Sequence, residues 1–570
     1  MSRRARSAHR AASIALLAAA VALAAAPACA QSQSARGSDP ADTASARRLI
    51  EAVRGVPRDA CTLIVYALNN EGWTPTAPGL MGLGPADRDV RATVTWATSG
   101  GRRADVVPVL AAGLRDGDAC VRAVAARLLA RSRLRAAADA LLQAVRDDDS
   151  TTRGAAAVGL GFARDARAEE PLVRALGDRS ASVRAAAAIA LGSLHDRGPI
   201  EPALELLGEE GVNVWTAVTT ARAGGEDQEI VRPLIDALSD TAAEVRAAAA
   251  EALGDVADAS ALEPLAAALR DTVLEVRAVS ARALGALGDR RAVEPLVAAL
   301  HDPAWQVRYA AVGSLTWLRD RSAVAGLRQV LGDGQFQVRR RGVEALGSLR
   351  DTASLDALRG VLRDRAPEVR RAAVRALATM RDQRSVDGLV AALRDDDPDV
   401  RRAAAEGLGG LGDRRAVDAL VRAVRDDEPD VRRSAVRSLG RLAAPSAVDA
   451  LATALRDPDS GVRTAAAAAL SEVGDTRAVP ALLDALRDRR VAVRAAAVRA
   501  LGRIGDARAV EGLAAALKDD QLGIRRAAAQ ALASIRTEAA VNALKTMDGS
   551  GDEVIQRIVD RVLERRHISL

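Results

Sequence analysis

Apolar and polar positions along this chain fall into blocks with helical spacing. The stretch Arg291-Ala-Val-Glu-Pro-Leu-Val-Ala-Ala-Leu-His-Asp302 places apolar residues at helical intervals and ends on an aspartate able to cap the next helix. That second helix is expected from about Pro303, with Val307, Ala311, Leu315 and Leu318 on one face. Small residues at Ala310 and Ser314 would let a neighbouring helix come close. In other units a proline falls at the helix start, as Pro398 does in Asp395-Asp-Asp-Pro398-Asp-Val-Arg401, where its missing donor costs nothing. Leu-Gly pairs such as Leu284-Gly285, Leu346-Gly347, Leu408-Gly409 and Leu501-Gly502 recur late in the second helix and fit either a helix end or a tight helix crossing.

The helix pair repeats every 31 residues. Arginine recurs at that interval from Arg91 to Arg525, missing only at Trp215, and aspartate stands six residues ahead of it from Asp116 to Asp519, missing only at Glu209. Asp302, Arg308, Asp333 and Arg339 are typical members of these columns, and their recurrence in every unit suits a cap and an ion pair that lock the stack. A helix pair this short cannot bury its apolar stripe alone, so self-similarity at this period implies stacked units. The expected fold is all-α, a right-handed α-solenoid of stacked helix pairs with about 14–15 repeats. Expected boundaries are a signal peptide over 1–30, a linker over 31–44, an atypical N-terminal cap over 45–100, the solenoid over 101–545 and a C-terminal capping helix over 546–570.

The Asp-x-x-x-x-x-Arg pattern within Val-Arg-x-Ala-Ala-x-x-Ala-Leu-Gly-x-Leu-Gly-Asp resembles the HEAT-like repeat of phycobilisome lyases, over about residues 100–545. The resemblance implies the fold strongly and the activity hardly at all, because similar repeats serve chromophore lyases, regulators and interaction scaffolds. It implies two readings: a non-enzymatic scaffold binding a protein or other macromolecule along a concave face, and, as the alternative, a tetrapyrrole lyase or chaperone-like factor.

Charge changes the picture less than the formal +6 suggests. Arg3, Arg4, Arg6 and Arg10 supply four of those charges, which leaves +2 on the rest of a long chain and gives no basis for specific nucleic-acid binding. Those arginines, the apolar run Ala11–Ala26 and Ala28-Cys29-Ala30 before Gln31 read as a secretory signal, so an exported, periplasmic or extracytoplasmic protein is expected. A lipid anchor on Cys29 is the weaker reading, because the preceding residues make a poor lipobox. No other stretch has the apolar length to span a bilayer. Cys61 and Cys120 remain in matching Asp-Ala-Cys settings. Regularly stacked helices two units apart would hold them about 20 Å from each other, so two buried thiols are expected unless the loop Asn69–Asp87 folds the first unit back.

No catalytic, metal-binding or cofactor motif is recognisable: the four histidines are scattered, and no phosphate loop or nucleophile elbow occurs. Departures from the repeat are therefore the best guide to a site. Trp305, Tyr309, Trp317 and Phe336 form one cluster in a chain with only 2% aromatics. Tyr309 points away from the core residues of its helix, and Leu274, Trp305 and Phe336 share a column. The column of Tyr309 continues as Arg340, Arg371, Arg402 and Arg433, a row suited to an acidic partner, with Glu344 and Glu406 close enough to quench it. The candidate partner-binding residues are thus Leu274, Trp305, Tyr309, Phe336, Arg340, Arg371, Arg402 and Arg433, and the expected partner is a protein, with the chain itself a monomer. In the unit 201–227, which keeps its register by sequence, Trp215 replaces the ladder arginine and Arg222 a core leucine, marking a hinge or secondary site.

Overall fold

In a computed structural model of the protein, residues 41–57, 61, 104–163, 165–195, 228–547 and 552–567 are described. The expected signal peptide and Cys29, most of the expected N-terminal cap, and Trp215 and Arg222 lie outside them. The described residues fold as helices without strands, in two compact units, Met1–Leu318 and Arg319–Leu570, each an α-solenoid.

A repeat begins with an aspartate that caps a 3-10 turn. Asp289 accepts a hydrogen bond from the Arg291 N–H at the head of the turn Arg290–Ala292, and the chain runs on into the seven-residue helix Val293–Ala299. The first helix is therefore shorter than its apolar pattern suggests. The second helix is long and carries the stack. In the first unit these helices are α1 (Ala41–Val53), α2 (Ala119–Ser132), α3 (Ser150–Ala163), α4 (Ala181–His195), α5 (Ala243–Val256), α6 (Leu274–Ala286) and α7 (Trp305–Leu318). In the second they are α8 (Phe336–Ser348), α9 (Pro367–Met380), α10 (Pro398–Leu411), α11 (Pro429–Arg441), α12 (Ser460–Val473), α13 (Val491–Ile504), α14 (Leu522–Ile535) and the closing α15 (Glu553–His567).

Within each unit every long helix packs on the next. Their contact is tight because glycine meets a small residue across it. A β-carbon placed on Gly440 would sit 2.8 Å from Ala469 Cα, and one on Gly502 would sit 2.6 Å from Ala531 Cβ. The first Leu-Gly position is thus a helix crossing, and the helix end falls to the later glycine, as at Gly412 and Gly474, whose φ values of +74° and +70° are the left-handed cap. Valine, alanine and leucine fill the core between layers, with Val400, Ala404 and Leu408 on α10 fully buried.

Two expectations about the stack are corrected. The sequence keeps its 31-residue register through the unit 201–227, but α4 packs directly on α5, and the Arg184 guanidinium reaches Asp240, 56 residues ahead, instead of the usual 25. A glycine makes that join too: a β-carbon on Gly192 would lie 2.7 Å from Ala252 Cα. At the N-terminus, α1 starts at Ala41, inside the expected linker, and packs directly on α2. Arg54 is bidentate to Asp116, at 3.0 and 2.8 Å, and the Gly55 N–H donates to Asp118 at 2.7 Å. Cys61 and Cys120 therefore meet with Cα atoms 5.7 Å apart and form a disulfide. The expected buried thiols assumed two regular repeat steps between them, and that spacing does not exist.

Neighbouring glycines on α10 separate crossing from propensity. A β-carbon on Gly409 would lie 2.6 Å from Ser438 Cβ and 2.9 Å from its Cα, whereas one on Gly410 meets nothing within 4 Å. Gly409→Ala is expected to lower unfolding stability by about 1–3 kcal/mol, the scale of overpacking a tight contact. Gly410→Ala should raise it by about 0.5–1 kcal/mol through helix propensity. Urea unfolding followed by circular dichroism checks both signs.

Candidate functional site

The charged ladder is an inter-repeat clasp. Arg246 donates to Asp271 of the following repeat through Nε and Nη2, at 2.6 and 2.9 Å, while its Nη1 donates to the carbonyl of Asp240 in its own repeat at 2.9 Å. Each ladder aspartate also accepts from the main chain two residues on, as Asp271 does from the Val273 N–H at 2.8 Å, which fixes the turn into the next long helix. The candidate ladder residues share this plan. Asp302 accepts from Arg277 at 2.7 and 3.0 Å, and its carbonyl accepts from Arg308 at 2.7 Å. In the second unit Arg339 is bidentate to Asp364, at 2.6 and 2.7 Å, and donates to the carbonyl of Asp333 at 2.8 Å.

These pairs are largely withdrawn from water: the Arg339 and Asp364 side chains are 6% and 10% exposed. Burial works against the charge on Asp364, yet the Arg339 guanidinium and the Ala366 N–H together hold its carboxyl below the usual range. For Asp178, Asp240 and Asp271 the leading cause is the hydrogen bond from Arg153, Arg184 and Arg246 respectively, and all three carboxyls are lowered. The guanidinium and carboxylate of each clasp are thus engaged in holding one repeat on the next.

The aromatic candidates are placed on the ends of α7. Trp305 and Tyr309 are half-buried and make an edge-to-face pair with centroids 6.3 Å apart and planes at 76°, while Trp317, three turns on, is 59% exposed. Leu274 stands exposed at the start of α6, which packs on α7. In the second unit Phe336 is exposed at the start of α8.

The arginine row of the second unit is paired along its length. Arg340 has Glu344 at 3.9 Å, Arg371 has Asp399 at 2.9 Å, Arg402 has Asp399 at 2.9 Å and Glu406 at 3.3 Å, and Arg433 has Asp430. Glu344 and Glu406 were the quenching carboxylates expected from sequence; Asp399, which bridges two arginines, and Asp430 were missed, although each lies three residues before a row arginine and so one helical turn away. The face is a strip of alternating charge.

One further exposed feature is not evident from the aromatic and arginine columns. Val158 and Phe162 on α3 and Ile189 on α4 are 39%, 37% and 43% exposed, and the Arg127 guanidinium of α2 lies 4.1 Å from the centroid of the Phe162 ring. The signal was present in the sequence: Val158 and Ile189 occupy the outward column that holds Glu251, Arg282, Glu344 and Arg375 in other repeats.

The repeating pair of a short and a long helix, clasped by Arg and Asp at a fixed spacing, is matched by a family model described as HEAT repeats at residues 80–161, 138–221, 231–315, 293–366, 359–435, 421–493 and 482–563. The chain is a HEAT-repeat protein. Among solved structures it is similar to a chain in the structure of Kap95p binding to RanGDP, at 14% identity and a TM-score of 0.54, covering 92% of this chain and 77% of that one. That likeness shows the HEAT solenoid and nothing about partners. A chain in the structure of the complex of CpcE and CpcF of phycocyanin lyase from Nostoc sp. PCC7120 matches at 28% identity over 39% of this chain and 92% of that one, with a TM-score of 0.26. YibA of E. coli matches at 22% identity over 46% of this chain and 98% of its own, with a TM-score of 0.34. No curated protein matches the chain.

The clasp gives this HEAT array a defined response to acid. The carboxyls of Asp178, Asp240, Asp271 and Asp364 titrate below the unfolded aspartate value of about 4, so their stabilisation is complete above that pH and drains away as the pH falls through the lower folded values. The urea midpoint should be nearly the same at about pH 7 and pH 5 and fall steeply between about pH 4 and pH 2. A midpoint unchanged down to about pH 3 would contradict this.

Proposed function

We propose that this HEAT-repeat protein is an exported, non-enzymatic scaffold that binds a protein partner through the concave face formed by its long helices. Leu274, Trp305 and Tyr309 in the first unit and Phe336, Arg340, Arg371, Arg402 and Arg433 in the second are the contact residues. The observation that carries this reading is the edge-to-face Trp305–Tyr309 pair at the start of α7, with an exposed Trp317 at its end, in a chain with so few aromatic residues. Rings held half-open at a helix surface offer large apolar area at little cost in side-chain entropy, which is how interface anchors work. The HEAT family supports a scaffold, since stacked repeats build long surfaces from local contacts. The Cys61–Cys120 disulfide supports an oxidising compartment and so agrees with the secretory signal. The paired arginine row narrows the partner's chemistry. A carboxylate of an acidic partner would take the place of Asp399, Glu406 or Asp430 on a row arginine, an exchange that contributes orientation more than affinity.

Cross-linking and pull-down from the native envelope fraction tests the reading. The mature protein should capture a specific partner that a Trp305→Ala/Tyr309→Ala/Phe336→Ala variant of unchanged helicity and melting captures at least about tenfold less, the scale of losing hot-spot rings. Equal capture by both, or specific capture by neither, would overturn it.

A further inference from the structure

The turn that opens α13 breaks a rule that its neighbours keep. After the ladder aspartate the three preceding repeats continue with Asp396-Asp397, Asp427-Glu428 and Pro458-Asp459, whereas Asp488 is followed by Arg489 and Arg490. Arginine there is unfavourable beside the partial positive charge of a helix start, so the stability of α13 does not account for it. Asp488 is itself spent on the clasp: its two oxygens take Arg463 at 2.7 and 3.1 Å, and it accepts the Arg490 N–H at 2.8 Å. Among the described residues no carboxylate pairs with the side chain of Arg487 or Arg489, and both are exposed.

These two arginines line an open cleft of about 500 Å³ where the short helix Val448–Ala454 meets the next one, Val479–Ala485. Arg456, just past the end of the first of these helices, lines the same cleft and donates to Asp484 at 2.9 Å. The other charged groups of the wall are the Arg463–Asp488 pair and Asp457, which is held by Arg432 at 2.7 and 2.9 Å. Every carboxylate of the cleft therefore has its cation, and the charges of Arg487 and Arg489 remain unbalanced. The corresponding cleft of the first unit, about 630 Å³, has the opposite balance. There Arg115 is bound to Asp147 at 2.8 Å and Arg167 to Asp139 at 2.7 Å. Asp148 stands at the repeat position of Arg489, and Glu170 adds a further carboxylate beside Arg146, which holds the position of Arg487.

We propose that the second-unit cleft is a binding site for a phosphate monoester. Such a group carries about −1.5 to −2 charge at neutral pH, which matches two unbalanced guanidinium groups, whereas a carboxylate supplies one charge. Its oxygens accept the forked N–H donors of arginine, so Arg487 and Arg489 hold the phosphate. Arg456 joins them by turning away from Asp484, an exposed pair that binds it weakly. The cleft is of the size of ligand sites, about 300–1,000 Å³, and so has room for the organic group that carries the phosphate. A soluble phosphate ester and the headgroup of phosphatidic acid in a bilayer both present this chemistry.

The test uses the full mature protein and two probes: glycerol 3-phosphate, titrated by calorimetry, and phosphatidylcholine vesicles with and without phosphatidic acid, read by sedimentation. Saturable binding of glycerol 3-phosphate assigns the site to a soluble ester, and binding to the phosphatidic acid vesicles alone assigns it to the lipid headgroup. In either case Arg487→Gln/Arg489→Gln, at exposed positions, should weaken binding about tenfold or more with helicity unchanged. Arg489→Asp, which restores the acidic residue of the neighbouring repeats, should abolish binding and leave the melting temperature the same or higher. Arg146→Gln in the first-unit cleft should leave binding as it was. The proposal fails if neither probe binds, if acetate binds as tightly as glycerol 3-phosphate, if the double substitution leaves binding intact, or if Arg146→Gln weakens it equally. Failure of the envelope partner capture leaves this result standing, because the two sets of side chains do not overlap.

Discussion

Each repeat is tied to the next by one guanidinium that donates backward to a carbonyl of its own turn and forward to the carboxylate of its neighbour. The rest of the stack depends on that clasp. Arg246 fixes the exit of one short helix through the Asp240 carbonyl and the entry of the next long helix through Asp271, whose other contact is the Val273 N–H. A bidentate pair is directional as well as favourable, so it sets the rotation of one helix pair on the next, which an Ala, Leu and Val core could not do alone. The glycine crossings act with it. They bring successive long helices close enough for the guanidinium to reach, and the clasp in turn keeps Gly440 facing Ala469.

A stack built from one repeated joint can be closed wherever two compatible edges meet. Arg184 and Asp240 make the joint with the geometry of Arg246 and Asp271, although the separation in sequence differs by a whole repeat. The same logic applies at the N-terminus, where Arg54 takes the bidentate role on Asp116 and a disulfide closes alongside it. Function can then be placed on the outward positions, which the joint does not use. The two units differ there: one presents aromatic and aliphatic side chains on a floor of glycine and alanine, the other alternating charges such as Arg371, Asp399, Arg402 and Glu406.

Much of this was legible in the sequence, because periodicity reports the joint directly. The fold class, the Arg and Asp columns as structural, and the small residues at helix crossings all come from a 31-residue spacing and helical geometry. The close pairing of α4 with α5 was not legible, since the register of the unit 201–227 is kept in sequence and register alone does not say which edges meet. The disulfide was missed for the same reason: a distance counted in regular repeats placed Cys61 and Cys120 far apart. The neutralisation of the arginine row was half legible. Glu344 and Glu406 are on the same helices four residues on, but Arg371 reaches Asp399 of the next repeat, a contact that only the stack supplies.

The joint between α4 and α5 is where the stack departs furthest from the repeat, and a double-mutant cycle on Arg184→Ala and Asp240→Ala measures it directly. A direct clasp predicts that the two substitutions are coupled by about 1–3 kcal/mol in urea unfolding, as expected for contacting, mostly buried charges. Additive effects within about 0.5 kcal/mol would mean that Arg184 and Asp240 do not meet, and that the stack does not close from α4 to α5.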